Sequence, residues 1–148
     1  GFCLGGGVGL VGNSDIVIAA EDAYFGLPEV DRGALGAATH LARLVPQHLM
    51  RTLYYTAKNI DAHQLHHHGS VYSVVPREEL DTAALALAEE IAAKDTRVIR
   101  RAKEAINGID PQHVHRSYRY EQGFTFELNL TGASDEARAA FVNGTGNA

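Results

Sequence analysis

The sequence predicts an α/β protein whose strands and glycines fall in its first half and whose second half is almost wholly helical. Three observations carry this: a glycine-dense opening from Gly1 to Gly12, short β-branched runs over 16–20 and 71–75, and helix-period apolar spacing from Pro76 onward.

Taken in order, Phe2, Cys3 and Leu4 read as the last residues of a strand, and Gly5, Gly6 and Gly7 as a turn into a short helix through Val8, Leu10 and Val11. Asn13, Ser14 and Asp15 end that helix. Residues 16–20 form a strand and 23–26 a second short one. Residues 33–36, with a glycine at each end, make a flexible turn before an apolar-periodic segment over 38–44. Pro46 opens a helix through Leu49, Leu53 and Tyr54, since proline suits the first helical turn. Asp61 N-caps a helix that Gly69 stops, and 71–75 is a strand. Pro76 starts a helical run to Lys94 in which Leu80, Ala84, Leu87, Ala88 and Ile91 share one face. Helices follow over 96–107 with Gly108 past the end, over 113–131, and finally behind Ser134 as a cap.

The chain reads as one continuous unit in two parts, 1–76 with the glycine loop and 77–148 helical. Gly1 already lies inside the glycine-rich element, and Phe2 to Leu4 offer only the end of a strand to support it. The expectation is therefore a piece of a larger domain whose N-terminal half is absent.

With 148 residues and 45% hydrophobic composition, the chain can bury a respectable core. A net charge of −5, with no basic stripe interleaved with aromatics, argues against nucleic acid as the main partner. The apolar runs are far too short for a membrane span, and no signal peptide is visible. Cys3 is the single cysteine and cannot form an internal disulfide, which fits a cytoplasmic setting.

The stretch Gly7-Val8-Gly9-Leu10-Val11-Gly12 matches the dinucleotide pattern G-x-G-x-x-G. That fingerprint needs a full crossover helix before the next strand, and only Asn13, Ser14 and Asp15 separate Gly12 from Ile16. The glycines read instead as a loop that brings backbone N–H groups to an oxyanion. Phe25-Gly26-Leu27-Pro28-Glu29 follows, so one carboxylate, Glu29, stands ready for acid/base work beside the anion site. The combination points to enolate chemistry on an activated carbonyl. The plain alternative is a loop glutamate paired with Arg32 or Arg43.

These residues together carry a family likeness. Gly5-Gly6-Gly7, Ser14-Asp15-Ile16, residues 25–30 with Gly33, the alanine-to-proline stretch over 62–76, the Lys103 to Asn107 helix and Phe141 resemble the C-terminal half of the crotonase superfamily, the enoyl-CoA hydratase and isomerase group. A narrower likeness, over 26–41 and 120–130, is to the actinobacterial ring-opening hydrolases of steroid catabolism within that superfamily. The resemblance implies the C-terminal part of a ββα spiral fold, followed by a helical region through which trimers or pairs of trimers assemble.

It also implies roles. Gly6 would offer a backbone N–H to the thioester oxygen and Glu29 would be the acid/base carboxylate, while Gly5, Gly7, Leu27 and Pro28 would line the acyl-CoA site. Lys103 would meet coenzyme A phosphates. Asp31 is a second carboxylate for the acid/base role, with a turn or solvent-facing position as its plain reading. Coenzyme A enters only as part of the substrate, with no bound cofactor and no metal. The family's second oxyanion donor belongs to the absent half, and losing one such donor costs about 2.7–4 kcal/mol, so this piece alone is expected to be a poor catalyst.

Gly9 departs from the pattern of hydratases with two glutamates, which carry the first there. Ring hydrolysis by retro-Claisen C–C cleavage can proceed with one carboxylate, so it is the leading expectation. The alternatives are an enoyl-CoA hydratase or isomerase of fatty-acid oxidation, and a catalytically silent CoA-binding assembly module.

Other features have plain readings. His63, His66, His67 and His68 crowd one short helix without the supporting ligands a zinc site needs, which favours a solvated face. Arg97, Arg100, Arg101 and Lys103 read either as a solvated face paired with Glu104 or as a phosphate contact. Tyr118, Tyr120, Phe124 and Phe126 have mixed spacing and suit a core or a subunit interface.

Overall fold

The computed structural model describes residues 1–109 and 113–144. The chain alternates between two small sheets. β1 (Phe2–Leu4) pairs in parallel with β3 (Tyr24–Gly26), which pairs antiparallel with β4 (Ile60–Asp61); β2 (Ile18–Ala20) pairs in parallel with β5 (Ser73–Val75). Helix α1 (Gly6–Asn13) carries the chain from the first sheet to the second, and α4 (Ala62–His67) repeats that step one turn later. This repeated passage is the expected spiral.

The remaining elements are a 3₁₀ turn (Pro28–Arg32), α2 (Ala38–Leu41), α3 (Gln47–Thr56), a second 3₁₀ turn (Arg77–Glu79), α5 (Leu80–Ala92), α6 (Thr96–Ile109), α7 (Val114–Leu130) and α8 (Ala133–Val142). Val8, Phe25, Leu27, Leu41, Leu53, Ile60, Leu65 and Val71 form the core where α1, α2, α3 and α4 meet the strands. Each side chain of this kind contributes about 1.5–3 kcal/mol when fully buried.

Local chemistry explains the boundaries. Asp61 and Gln64 form a reciprocal capping box: Asp61 Oδ1 accepts from Gln64 N–H at 2.8 Å and Gln64 Oε1 accepts from Asp61 N–H at 3.2 Å. Pro46 is the N-cap of α3. Between α1 and α2 the backbones approach so closely that a Cβ on Gly12 would lie 2.5 Å from the His40 carbonyl oxygen, so only glycine fits there.

Several sequence-based boundaries shift. The strands over 16–20 and 71–75 pair as a ladder only at 18–20 and 73–75, flanked by bonds from Tyr72 N–H to the Val17 carbonyl at 2.8 Å and from Glu21 N–H to the Val75 carbonyl at 2.9 Å. Of the apolar-periodic segment over 38–44, only Ala38–Leu41 is helix, α2, after which the chain turns. Gly108 lies inside α6, since a glycine costs an exposed helix only about 1 kcal/mol and does not oblige it to stop. Ser134 does not cap α8; Gly132 holds that position, and the Ser134 hydroxyl instead donates to the Gly33 carbonyl.

The helical half divides in its packing. α7 packs on α2, and α8 on the turn at Pro28–Arg32. Helices α5 and α6 have no buried residue, and Leu85, Val98, Ile106 and Ile109 are exposed. Tyr120, Phe126 and Leu130 also face outward from α7. No helix among the described residues is long and apolar enough to cross a membrane.

Candidate active site

Gly5 is the hinge of the site. Its φ of 54° and ψ of −115° exclude an ordinary side chain, and its N–H donates to the Gly26 carbonyl at 3.0 Å, tying the end of β1 to β3. The chain then enters α1, whose first-turn N–H groups at Gly6, Gly7 and Val8 precede the first intrahelical bond, from Gly9 N–H to Gly5 C=O. Gly6 is exposed, and a Cβ built on it would meet nothing within 4 Å. An open helix N-terminus with free donors suits an anion.

Glu29 arrives from the other side. Pro28 starts the 3₁₀ turn and fixes its entry, and Leu27 below it is 1% exposed, with its side chain against Gly36. The Glu29 carboxylate is wedged between two glycines. A Cβ on Gly5 would fall against Oε1, and one on Gly36 would lie 2.6 Å from Oε2. Oε2 is buried and has no hydrogen-bond partner among the described residues. Burial pushes the Glu29 carboxyl above its ordinary value, with the Glu121 charge acting in the same direction, while its own backbone N–H and Arg32 pull it down.

The alternative of a paired loop glutamate does not match this geometry. Arg32 Nη1 donates to the Pro28 carbonyl at 3.0 Å, and the guanidinium sits 4.5 Å from the centre of the Phe141 ring on α8. No ion pair to Glu29 is found among the described residues. Asp31 lies on the same turn and is exposed.

The structure thus brings together Gly5, Gly6, Gly7, Leu27, Pro28 and Glu29. Lys103 lies apart: it pairs with Asp15, beyond the far end of α1 from Gly6. There a cleft of about 550 Å³ also collects Arg43, His113 and His115. Arg97 pairs with Asp95 and Arg101 with Glu104, so part of the basic cluster is a salt-bridged face. The histidine-rich α4 is exposed at His63, His66 and His67, and His66 Nδ1 lies 2.8 Å from the Val71 carbonyl oxygen. No group of three or more metal-ligating side chains gathers among the described residues.

No local motif singles out Gly36, Tyr54 or Glu121, yet Gly36 abuts Glu29, and Tyr54 and Glu121 lie within reach of its charge. Glu121 is 8% exposed on α7 and accepts from the N–H groups of Ala38 and Thr39 and the hydroxyls of Thr39 and Tyr54. Tyr54 accepts from Gly36 N–H at 3.2 Å. One signal is the inward stripe of α7, which runs Val114, Ser117, Glu121, Thr125, Leu128 and is polar in the middle, where an ordinary docking helix is apolar.

Comparison with known proteins fits this geometry. Residues 1–143 match the family described as enoyl-CoA hydratase/isomerase. The chain is 74% identical over 142 residues to the (7aS)-7a-methyl-1,5-dioxo-2,3,5,6,7,7a-hexahydro-1H-indene-carboxyl-CoA hydrolase of Rhodococcus jostii, covering 96% of this chain and 55% of that protein. It is 70% identical over 142 residues to the hydrolase of the same name from Mycobacterium tuberculosis, covering 96% of this chain and 58% of that one. Among solved structures, the carnitinyl-CoA hydratase of Mycobacterium avium superposes with a TM-score of 0.87 at 31% identity, over 97% of this chain and 57% of that chain. The chain therefore spans about half the length of the curated relatives it matches.

Proposed function

The chain belongs to the enoyl-CoA hydratase/isomerase family, and from that premise we propose that its protein hydrolyses a ring C–C bond of a bicyclic β-dicarbonyl CoA thioester in steroid catabolism. The observation that carries the reading is the part-buried carboxylate of Glu29, whose Oε2 is buried and unpartnered among the described residues and whose Oε1 abuts Gly5 at the N-terminus of α1, a helix that carries no side chain at Gly9. The identities of 74% and 70% to hydrolases named for such a bicyclic dioxo CoA thioester support the same substrate class.

In this reading Glu29 takes a proton from water as the oxygen attacks the ring ketone. The bond between that carbon and the α-carbon of the thioester breaks, and its electron pair becomes the thioester enolate. The enolate oxygen accepts from Gly6 N–H, where charge appears only as the bond breaks, so the donor favours the transition state over the bound substrate. Glu29 then returns the proton to the α-carbon, leaving a ring-opened carboxylic acid. A raised carboxyl pKa serves both halves of that shuttle. Gly5, Gly7, Leu27 and Pro28 shape the acyl site, and the missing side chain at Gly9 leaves room for a bicyclic group. Asp31, exposed on the same turn, is the secondary acid/base candidate.

The remaining assignments belong to the same reading. Coenzyme A enters with the substrate, and Lys103 contacts its phosphates. Further copies of the chain, in a trimer or a pair of trimers, cover the outward aromatics of α7, and the protein works in the cytoplasm.

The test is a mass-resolved assay of the full-length protein in ¹⁸O-labelled water, with crotonyl-CoA beside the bicyclic thioester. Label in a ring-opened acid, with crotonyl-CoA left nearly untouched, is the expected result. Rapid hydration of crotonyl-CoA would return the assignment to a general enoyl-CoA hydratase. Binding of both thioesters with no turnover would instead make this a silent assembly module.

A further inference from the structure

The wall behind Glu29 is held in place from α7, a helix remote in sequence. α2 is only four residues long, and its N-cap, Ala37, supplies no side-chain cap. The two orphan donors at its start, Ala38 N–H and Thr39 N–H, are satisfied by Glu121 at 2.8 and 3.2 Å, across more than 80 residues of sequence. The Tyr54 hydroxyl donates to Glu121 Oε1 at 3.2 Å and accepts from Gly36 N–H at 3.2 Å. One helical turn along α7, Thr125 Oγ1 accepts from Leu35 N–H at 3.3 Å. Leu35, Gly36, Ala38 and Thr39 are therefore fixed through one face of α7, and Gly36 is the residue that abuts Glu29 Oε2.

We propose that Glu121 is a positioning residue for the acid/base carboxylate: through Tyr54 and the start of α2 it sets the Gly36 wall against which Glu29 rests. The proposal rests on the assignment of Glu29 as the acid/base group.

The choice of side chain argues for this. Burying a carboxylate is costly unless every lone pair is engaged, yet the buried residue of α7 is Glu121, while Tyr120 and Phe126 stay exposed. Docking for stability alone would place an apolar side chain inward. Glu121 instead supplies several acceptor sites in one place, and all four of its donors belong to α2 and to the Tyr54 that holds Gly36. Its charge also bears on Glu29. The groups that act on the Glu29 carboxyl are Arg32 on its own turn and Glu121 from α7, and Glu29 in turn acts on the Tyr54 hydroxyl from α3.

The test uses the full-length protein and the variants Glu121→Gln and Tyr54→Phe. A wall displaced by even a fraction of an ångström lowers kcat about tenfold to a hundredfold, with KM for the thioester within about threefold of wild type. Carbon-13 carboxyl titration gives a readout independent of turnover, with the Glu29 signal identified by its loss in Glu29→Gln. Its midpoint falls in Glu121→Gln, which removes a like charge, and in Tyr54→Phe, which lets water reach Oε2. Folded variants with wild-type kcat and an unmoved Glu29 midpoint would overturn the proposal. Should Glu121→Gln fail to fold, Tyr54→Phe decides alone. Wild-type protein that turns over no CoA thioester would defeat the functional reading, while the titration would still decide the role of Glu121.

Discussion

The carboxylate of Glu29 occupies the space that a side chain at Gly36 would need, since a Cβ built there falls 2.6 Å from Oε2. Gly36 does not adopt a positive φ, so its requirement is one of room rather than of conformation. Gly36→Ala is expected to leave the fold intact and to push Glu29 aside. The full-length variant should bind the CoA thioester with a near-normal Kd and lose about a hundredfold in kcat. A variant with wild-type kcat would show that Glu29 can work from another position.

Glu29→Gln separates chemistry from stability. Removing a general acid/base lowers the rate by about 10²–10⁴-fold. The folded carboxyl titrates above its ordinary value of 4.5, so around and above that value the folded state binds more protons than the unfolded chain. Its contribution is then fully present below the unfolded value and is lost as pH rises through the folded one. Wild type should be no more stable than Glu29→Gln near pH 7.5, with the difference fading toward about pH 4.5. The gap is at most about 1 kcal/mol, because the carboxylate is only part-buried and solvent screens it. Urea midpoints at the two pH values, at constant m, measure it.

Gly9→Glu tests the reaction type. A Cβ at Gly9 would meet only the Ala37 Cβ, at 4.0 Å, so the helix has room for a side chain, and replacing a helical glycine gains up to about 1 kcal/mol. The added carboxylate would give the site the two-glutamate arrangement and fill the space assigned to the bicyclic acyl group. Hydration of crotonyl-CoA should rise and ring hydrolysis should fall. If ring hydrolysis is untouched, the acyl group does not pass near Gly9.

Much of the site is legible in the sequence because its parts are local. The turn at Gly5, the proline ahead of Glu29 and the Asp61 cap each depend on residues within a few positions of one another. The Tyr54 and Glu121 contacts are not local. Nothing in the spacing between residues 36, 54 and 121 says that a short uncapped helix will borrow its cap from α7. Ser134 misleads for the same reason: it stands where a helix begins and suits an N-cap, yet its hydroxyl donates to Gly33 from inside the first turn. Gly108 shows the limit of reading glycine as a stop, since α6 has little tertiary packing to oppose its continuation.

His40 makes the packing of α1 on α2 sensitive to acid. It is 5% exposed, its Nδ1 has no hydrogen-bond partner among the described residues, and its ring stands edge-on to Tyr118 at 5.1 Å. Burial holds its pKa below the ordinary 6.5, with Arg43 acting in the same sense and Glu121 against it. Below about pH 6.5 the unfolded chain therefore binds more protons than the folded one, so stability is present above that value and declines as pH falls toward the folded pKa. The expected loss between about pH 7.5 and 5.5 is under about 1 kcal/mol, because the Glu121 charge offsets part of the cost of burying the charged ring. His40→Gln removes the titrating group and should flatten that segment of the stability curve, measured as denaturant midpoint against pH. A slope that survives the substitution would show that His40 is not its source.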